Sequence, residues 1–192
     1  MYRMIELVCA AAILIPAFLL LRKHTRYSPR ASAWYLIFTL YLSGVYYVTG
    51  LPTVQFAVWN VRCNLVPFAG MVADLKNSLL NILLFLPLGF LLPLLWSPFR
   101  KLPKTIVFGL AMTCTIEFLQ LFTFRATDVN DILTNTLGSF LGYCGFLIFL
   151  KYPFLPAPQD TKTDDLIPLI LLTAAVMFFA QPLLASLIYQ II

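Results

Sequence analysis

The chain has 192 residues, of which 61% are hydrophobic and only 11% are charged, and its net charge is +5. Soluble domains contain about 45–50% apolar residues, so this composition excludes an ordinary soluble protein. The basic residues lie between apolar runs and form no continuous face, which argues against a nucleic-acid partner. We therefore expect an integral membrane protein whose basic residues report its topology.

Six apolar runs are candidates for crossing a bilayer, which takes about 20 helical residues for about 30 Å of hydrocarbon. They are residues 4–21, 33–50, 77–96, 105–124, 131–150 and 166–188. The predicted fold is all-α, a polytopic transmembrane helical bundle of six spans, or of five if one of the weaker runs does not cross. We expect a single membrane domain over residues 1–192, with flanking helices in 1–50 and 166–192.

The loops between these spans differ in their content of Lys and Arg, and cytoplasmic loops carry the excess. One set of loops holds nine basic residues: Arg22, Lys23, Arg26, Arg30, Arg100, Lys101, Lys104, Lys151 and Lys162. The alternate set and the amino terminus hold four: Arg3, Arg62, Lys76 and Arg125. This bias predicts that both termini lie outside the cytoplasm.

A dense polar run interrupts the apolar pattern at the fourth and fifth spans. Its members are Glu117, Gln120, Arg125, Asp128, Asp131 and Asn135. A charged group facing hydrocarbon costs about 2.5–3.5 kcal/mol on insertion scales, so such groups persist where they face one another, water or a ligand. At 1.5 Å per residue, Glu117 lies roughly 10 Å below the outer end of its span, and Asn81 and Asn135 lie roughly 6 Å below the outer starts of theirs. The sequence therefore predicts an outward-facing polar pocket formed by this run together with Asn81.

The helical phase of the fifth span places five residues on one face: Asp128, Asp131, Asn135, Gly138 and Gly142. Gly138 and Gly142 form a small-xxx-small pair that lets another backbone approach closely, so we expect them at a helix–helix contact. The polar residues also have structural interpretations. Asp128 and Asp131 are suited to cap the fifth helix, and the amide side chains are suited to hydrogen bonds between helices. For Glu117, Arg125 is the candidate charge partner.

Metal, redox and nucleotide chemistry have little support in this sequence. The only histidine is His24, and no CxxC pair occurs among Cys9, Cys63, Cys114 and Cys144. The phosphate-binding pattern GxxxxGK[ST] and the nucleophile pattern GxSxG are both absent from the sequence. The three carboxylates of the polar run would suit a hard cation, but Arg125 opposes one. We predict no metal site and no cofactor.

Four sequence motifs, which follow one another in a fixed order, point to a protein family. They are NLVPF at 64–68, NILLFLPLG at 81–89, EFLQ at 117–120 and RATDVNDILTNTLG at 125–138, followed by Gly142. Together they resemble the VanZ-like family of bacterial membrane proteins over a core of about 64–150. The resemblance implies a multi-pass protein of the bacterial cytoplasmic membrane and points to the residues of the predicted pocket. The family's namesake is associated with resistance to the lipoglycopeptide teicoplanin without replacement of the cell-wall peptide terminus, and the resemblance supplies no reaction.

Two functions fit these observations. In the first, the pocket binds membrane lipids, a lipid-linked wall precursor or a lipoglycopeptide through Arg125 and the amide groups, and the protein contributes to teicoplanin resistance. In the second, it is an intramembrane enzyme on a lipid substrate, with Glu117 or an Asp as general acid or base. The absence of a nucleophile and base at workable spacing favours the first. A transporter has less support because no internal repeat is detectable, and the sequence leaves the oligomeric state open.

Overall fold

The structure is a computed structural model that describes residues 2–23, 29–59, 61–71, 74–151 and 163–191. Its helices are α1 (Tyr2–Lys23), α2 (Pro29–Val48), α3 (Leu75–Leu95), α4 (Leu102–Gln120), α5 (Val129–Phe149), α6 (Leu166–Ala175) and α7 (Gln181–Ile191). A π-helical segment (Val176–Ala180) joins α6 to α7 in one helical run. The prediction of an all-α fold is confirmed.

Five helical stretches are long and apolar enough to cross a membrane: Ala31–Val48, Leu75–Leu95, Leu102–Gln120, Val129–Phe149 and Leu166–Ile191. Ile5–Leu21 is a shorter apolar stretch. The protein is therefore a polytopic membrane protein, as its composition predicts. Several basic residues used for the predicted orientation, including Arg26 and Lys162, lie outside the described residues.

The fourth helix ends four residues earlier than its apolar run suggests. The backbone amides of Leu121, Phe122 and Thr123 each donate to the carbonyl oxygen three residues earlier, which closes the helix with a tight turn. The hydroxyl of Thr123 adds a bond to the carbonyl of Gln120 at 3.0 Å. Glu117 therefore lies in the last turn of α4, about 4.5 Å from the helix end at 1.5 Å per residue, whereas the span end predicted at residue 124 puts it roughly 10 Å away.

The described residues form two compact units. The first comprises Met1–Val58 with Asp164–Ile192 and contains α1, α2, α6 and α7. The second comprises Trp59–Thr163 and contains α3, α4 and α5. The single membrane domain expected over residues 1–192 stays a prediction.

Close backbone contact between α3 and α5 forms the centre of the second unit. A Cβ added at Gly138 would overlap the carbonyl oxygen of Ile82, and one added at Gly142 would overlap that of Leu86. From the opposite side, a Cβ on Gly89 would overlap the carbonyl oxygen of Ser139. Because glycines on both helices remove the side chains that would separate them, the two backbones lie directly against each other.

Two short strands lie at the end of this unit where α3 and α5 begin. β1 (Cys63–Asn64) and β2 (Thr127–Asp128) pair in parallel, with Cys63 opposite Thr127 and Asn64 opposite Asp128. The backbone amide of Thr127 also donates to the carbonyl of Arg62 at 2.8 Å. The pairing connects the segment that precedes α3 to the segment between α4 and α5.

Candidate functional site

Glu117 lies at the centre of the polar contacts at this end of the second unit. Its side chain is only 3% exposed, and its Oε2 accepts a hydrogen bond from the backbone amide of Asp128 at 2.9 Å. Its own carbonyl oxygen accepts a bond from the hydroxyl of Thr127 at 3.0 Å. Both bonds hold β2 against the last turn of α4. The hydrogen-bond partner of the Glu117 carboxylate is therefore a backbone amide and not the guanidinium of Arg125.

Asp128 has both oxygens engaged. Its Oδ1 accepts from the backbone amide of Asn130 at 2.8 Å, which caps the amino terminus of α5. The Nδ2 of Asn64 lies 3.1 Å from each carboxylate oxygen, so Asp128 also fixes β1. Asn64 belongs to the segments that resemble the VanZ-like family and to the aromatic and basic loop of residues 51–76, which the sequence predicts beside the polar pocket, but its bond to Asp128 is not predicted. Its contact spans 64 positions of the chain, and spacing alone does not reveal it.

Asn130 is a second residue that the sequence analysis missed. Its side chain is buried, its Nδ2 donates to the carbonyl of Ala69 at 2.9 Å, and its Oδ1 accepts from the backbone amide of Phe68 at 2.7 Å. Phe68 has a φ of 64°, a conformation that non-glycine residues rarely adopt and that these bonds help to maintain. In the sequence, the position of Asn130 between Asp128 and Asp131 is the one sign that it belongs to the site. We call Asn64, Glu117, Asp128 and Asn130 the loop anchor, because together they hold residues 61–71.

Of the remaining amides of the predicted pocket, Asn81 and Asn135 lie inside helices and Gln120 lies at the end of α4. Asn135 donates through Nδ2 to the hydroxyl of Thr113 at 2.9 Å, a buried hydrogen bond between α5 and α4. Its Oδ1 is buried and has no hydrogen-bond partner among the residues that the structure describes. The side chain of Asn81 faces the carboxylate of Asp131, and Gln120 is buried in the last turn of α4. The structure therefore places Asn135 in an interhelical contact and Asn81 beside Asp131.

The cationic side chains of this region are exposed. Arg125 lies close enough for its charge to act on the carboxylates of Glu117 and Asp131, but it points to the surface. Arg62 is exposed on the paired segment, and its carbonyl bonds to Thr127, two residues from Arg125. Two guanidinium groups therefore extend from adjacent backbone segments.

Residues 61–71 also expose a group of apolar side chains. Four of them are between 62% and 72% exposed: Val61, Leu65, Val66 and Phe68. Trp59, just before them, is likewise exposed and packs edge-on against Phe122 with ring centroids 5.1 Å apart. We call residues 61–71 with Trp59 and Arg125 the loop surface. Apolar and cationic groups lie together on this surface, and the partly buried loop anchor holds it in place.

In the part of the chain that the structure describes, no three His, Cys, Asp or Glu side chains are arranged so that they could hold a metal ion. Glu117 and Asp128 bind protein amides instead, as described above.

The fold and this site define a multi-pass helical membrane protein with an anchored amphipathic loop. A family model described as VanZ/LLP1 matches residues 38–150, so the chain belongs to the VanZ/LLP1 family. The resemblance seen in the motifs is confirmed. The chain is also 38% identical over 80 residues to Protein VanZ of Enterococcus faecium, which covers 41% of this chain and 48% of that protein. The chain thus matches about half the length of this curated relative, and no solved structure gives a significant match.

Proposed function

We propose that this protein is a non-enzymatic membrane factor that binds an anionic amphiphile at the loop surface and thereby contributes to glycopeptide resistance of the teicoplanin type. The amphiphile is a lipid-linked wall precursor or a lipoglycopeptide. The observation that carries the proposal is the presence of exposed apolar side chains and two exposed guanidinium groups on segments held together by partly buried hydrogen bonds.

The apolar part of the loop surface suits an acyl or polyprenyl chain. Each Å² of apolar surface removed from water contributes about 25 cal/mol, so side chains as exposed as Leu65 and Phe68 gain free energy when they are covered. Aromatic side chains such as Trp59 favour the membrane–water interface. These features support contact with the apolar part of a membrane-borne molecule.

The cationic part suits a phosphate or carboxylate. A guanidinium group presents paired donors that match the oxygens of either anion, and such charge-assisted bonds are stronger than neutral ones. Arg62 and Arg125 extend from neighbouring segments, so both are available to one headgroup. An amphiphile with an anionic headgroup satisfies the apolar and the cationic features at once.

The predicted membrane orientation of the chain gives the side of the membrane on which the loop surface lies. The excess of Lys and Arg in the other set of loops, including Arg100, Lys101 and Lys104, places the loop surface outside the cytoplasm in this proposal. Both termini then lie outside the cytoplasmic membrane. The ligand is met in the outer leaflet, where wall precursors and lipoglycopeptides are exposed.

The hydrogen bonds of the loop anchor suggest that its two carboxylates position protein segments and do not act on a substrate. One oxygen of Glu117 and both oxygens of Asp128 accept hydrogen bonds from the protein itself. A general acid or base must exchange a proton with a substrate within hydrogen-bond reach. These internal bonds favour the binding function over the enzyme that the sequence left as an alternative.

The test compares two double variants that each remove two exposed positive charges from the second unit. Arg62→Gln with Arg125→Gln changes the loop surface, and Lys104→Gln with Lys151→Gln is the matched control, taken from two predicted loops that each keep other basic residues. Membrane abundance and protection of the host against a lipidated glycopeptide are measured for each. We expect the arginine variant to lose protection at normal abundance and the lysine variant to retain it. Full protection in the arginine variant would contradict the proposal, and turnover of a lipid by the purified wild type would support the enzyme instead.

A further inference from the structure

The first unit contains a cavity of about 280 Å³ that no part of the proposed function uses. Its lining includes the carboxylate-bearing Glu6 of α1, Tyr47 of α2, and Gln181, Ser186 and Tyr189 of α7. Small-molecule pockets are typically about 300–1,000 Å³, so this volume suits a small headgroup.

The wall of the cavity depends on an irregular stretch of helix. Pro182 has no amide hydrogen, so it cannot donate to the carbonyl of Phe178 four residues earlier. The backbone amide of Val54 donates to that carbonyl instead, at 2.9 Å. The Nε2 of Gln55 donates to the hydroxyl of Ser186 at 3.2 Å. These bonds hold the segment after α2 beside the π-helical segment, a type of irregularity that is frequent at functional sites.

Glu6 provides the negative charge of the cavity. Among the described residues of the lining it is the one with an acidic side chain, and none of them is a Lys or an Arg. The hydroxyl of Tyr189 donates to its Oε1 at 3.3 Å, and the Nε2 of Gln181 donates to its backbone carbonyl at 3.5 Å. Glu6 lies beyond the first turn of α1, where the helix amino terminus gives a carboxylate little stabilisation. In the part of the lining that the structure describes, the carboxylate therefore has a hydroxyl partner but no cationic one.

We propose that this cavity binds a protonated amine. The ammonium group lies beside the carboxylate of Glu6 and within reach of the tyrosine rings, whose faces attract cations. Ser186 and Gln181, which is only 5% exposed, supply further oxygen acceptors. The amine belongs either to the headgroup of an aminophospholipid or to a soluble small molecule.

The lipid source is tested with the full-length protein in nanodiscs that contain equal parts of phosphatidylethanolamine and phosphatidylglycerol. Native mass spectrometry of the lipids that remain bound should show phosphatidylethanolamine enriched about tenfold, as expected for hydrogen bonds to a charged group. Glu6→Gln keeps the size of the side chain and should abolish the enrichment. Asp164→Asn removes an exposed carboxylate of the same unit and should leave it unchanged.

The soluble source is tested by calorimetric titration of ethanolamine into nanodiscs of phosphatidylglycerol alone. Saturable binding of ethanolamine in these nanodiscs, without lipid enrichment in the mixed ones, identifies a soluble amine as the ligand. The variant Glu6→Gln should then lose this binding. Tyr47→Leu keeps the carboxylate and should weaken binding several-fold, so the proposal is testable even if Glu6→Gln accumulates poorly. No enrichment together with no binding overturns the proposal, as does binding that both variants retain.

Discussion

Gly142 lies where α5 meets the backbone of α3, and Gly142→Ala tests this contact. The added Cβ would overlap the carbonyl oxygen of Leu86 and lie 2.9 Å from the backbone nitrogen of Phe90 and 3.0 Å from the Cα of Gly89. All three are backbone atoms, so a change of rotamer cannot relieve the overlap and the helices must separate. Overpacking typically costs about 1–3 kcal/mol. We expect the free energy of unfolding to fall by about 3 kcal/mol, the upper part of that range.

Gly145→Ala is the matched control on the same helix. Its Cβ would lie 3.9 Å from Cδ2 of Phe90, an ordinary van der Waals contact, so we expect a change within about 0.5 kcal/mol. The assay is reversible unfolding of the purified protein in mixed detergent micelles, followed by circular dichroism as the fraction of denaturing detergent increases. Equal midpoints for Gly142→Ala and Gly145→Ala would refute the close contact between α3 and α5.

Three further predictions concern topology and the loop anchor. A reporter that is active only outside the cytoplasm should work when fused after Thr127 and fail when fused after Pro103 or Gln159, whereas the reverse pattern would contradict the orientation. Asp128→Ala removes a helix cap and the contact to Asn64, so stability should fall by about 1–2 kcal/mol and amide hydrogen exchange in residues 61–71 should accelerate; unchanged exchange would count against the anchor. Arg125→Ala should leave membrane abundance normal because the side chain is exposed, and reduced abundance rescued by adding Glu117→Gln would instead reveal a buried ion pair.

Much of the fold follows from signals that operate over a few residues. The length and hydropathy of each apolar run predict the membrane helices, since every backbone group must be satisfied inside the bilayer. Gly138 and Gly142 are four positions apart and therefore lie on one face, where small residues allow close packing. The short connection between the fourth and fifth spans predicts antiparallel neighbouring helices, with Arg125 and Asp128 over the polar pocket. The structure adds the hydrogen bond from the backbone amide of Asp128 to the carboxylate of Glu117.

The missed features depend on contacts distant in sequence or on turns within apolar segments. The apolar pattern continues through Phe122 and Phe124, so it cannot show that α4 already ends at Gln120. The role of Asn64 requires two strands of two residues each to pair, and such strands are too short to have a periodic signal. The role of Asn130 requires bonds to residues about 60 positions earlier in the chain. The sequence therefore predicts the polar region and a neighbouring aromatic and basic loop over residues 51–76, but not the hydrogen bonds that join the two.

The central claim is that the loop surface binds an anionic amphiphile, and photo-crosslinking measures this most directly. The wild-type protein, reconstituted in vesicles, is exposed to a long-chain alkyl phosphate that carries a diazirine in its apolar chain, and modified peptides are mapped by mass spectrometry. The account predicts labelling concentrated in residues 61–71 that falls about tenfold in the variant Arg62→Gln with Arg125→Gln, as expected when charge-assisted hydrogen bonds are lost. Labelling spread evenly over the membrane-facing helices, or equally strong in that variant, would contradict it.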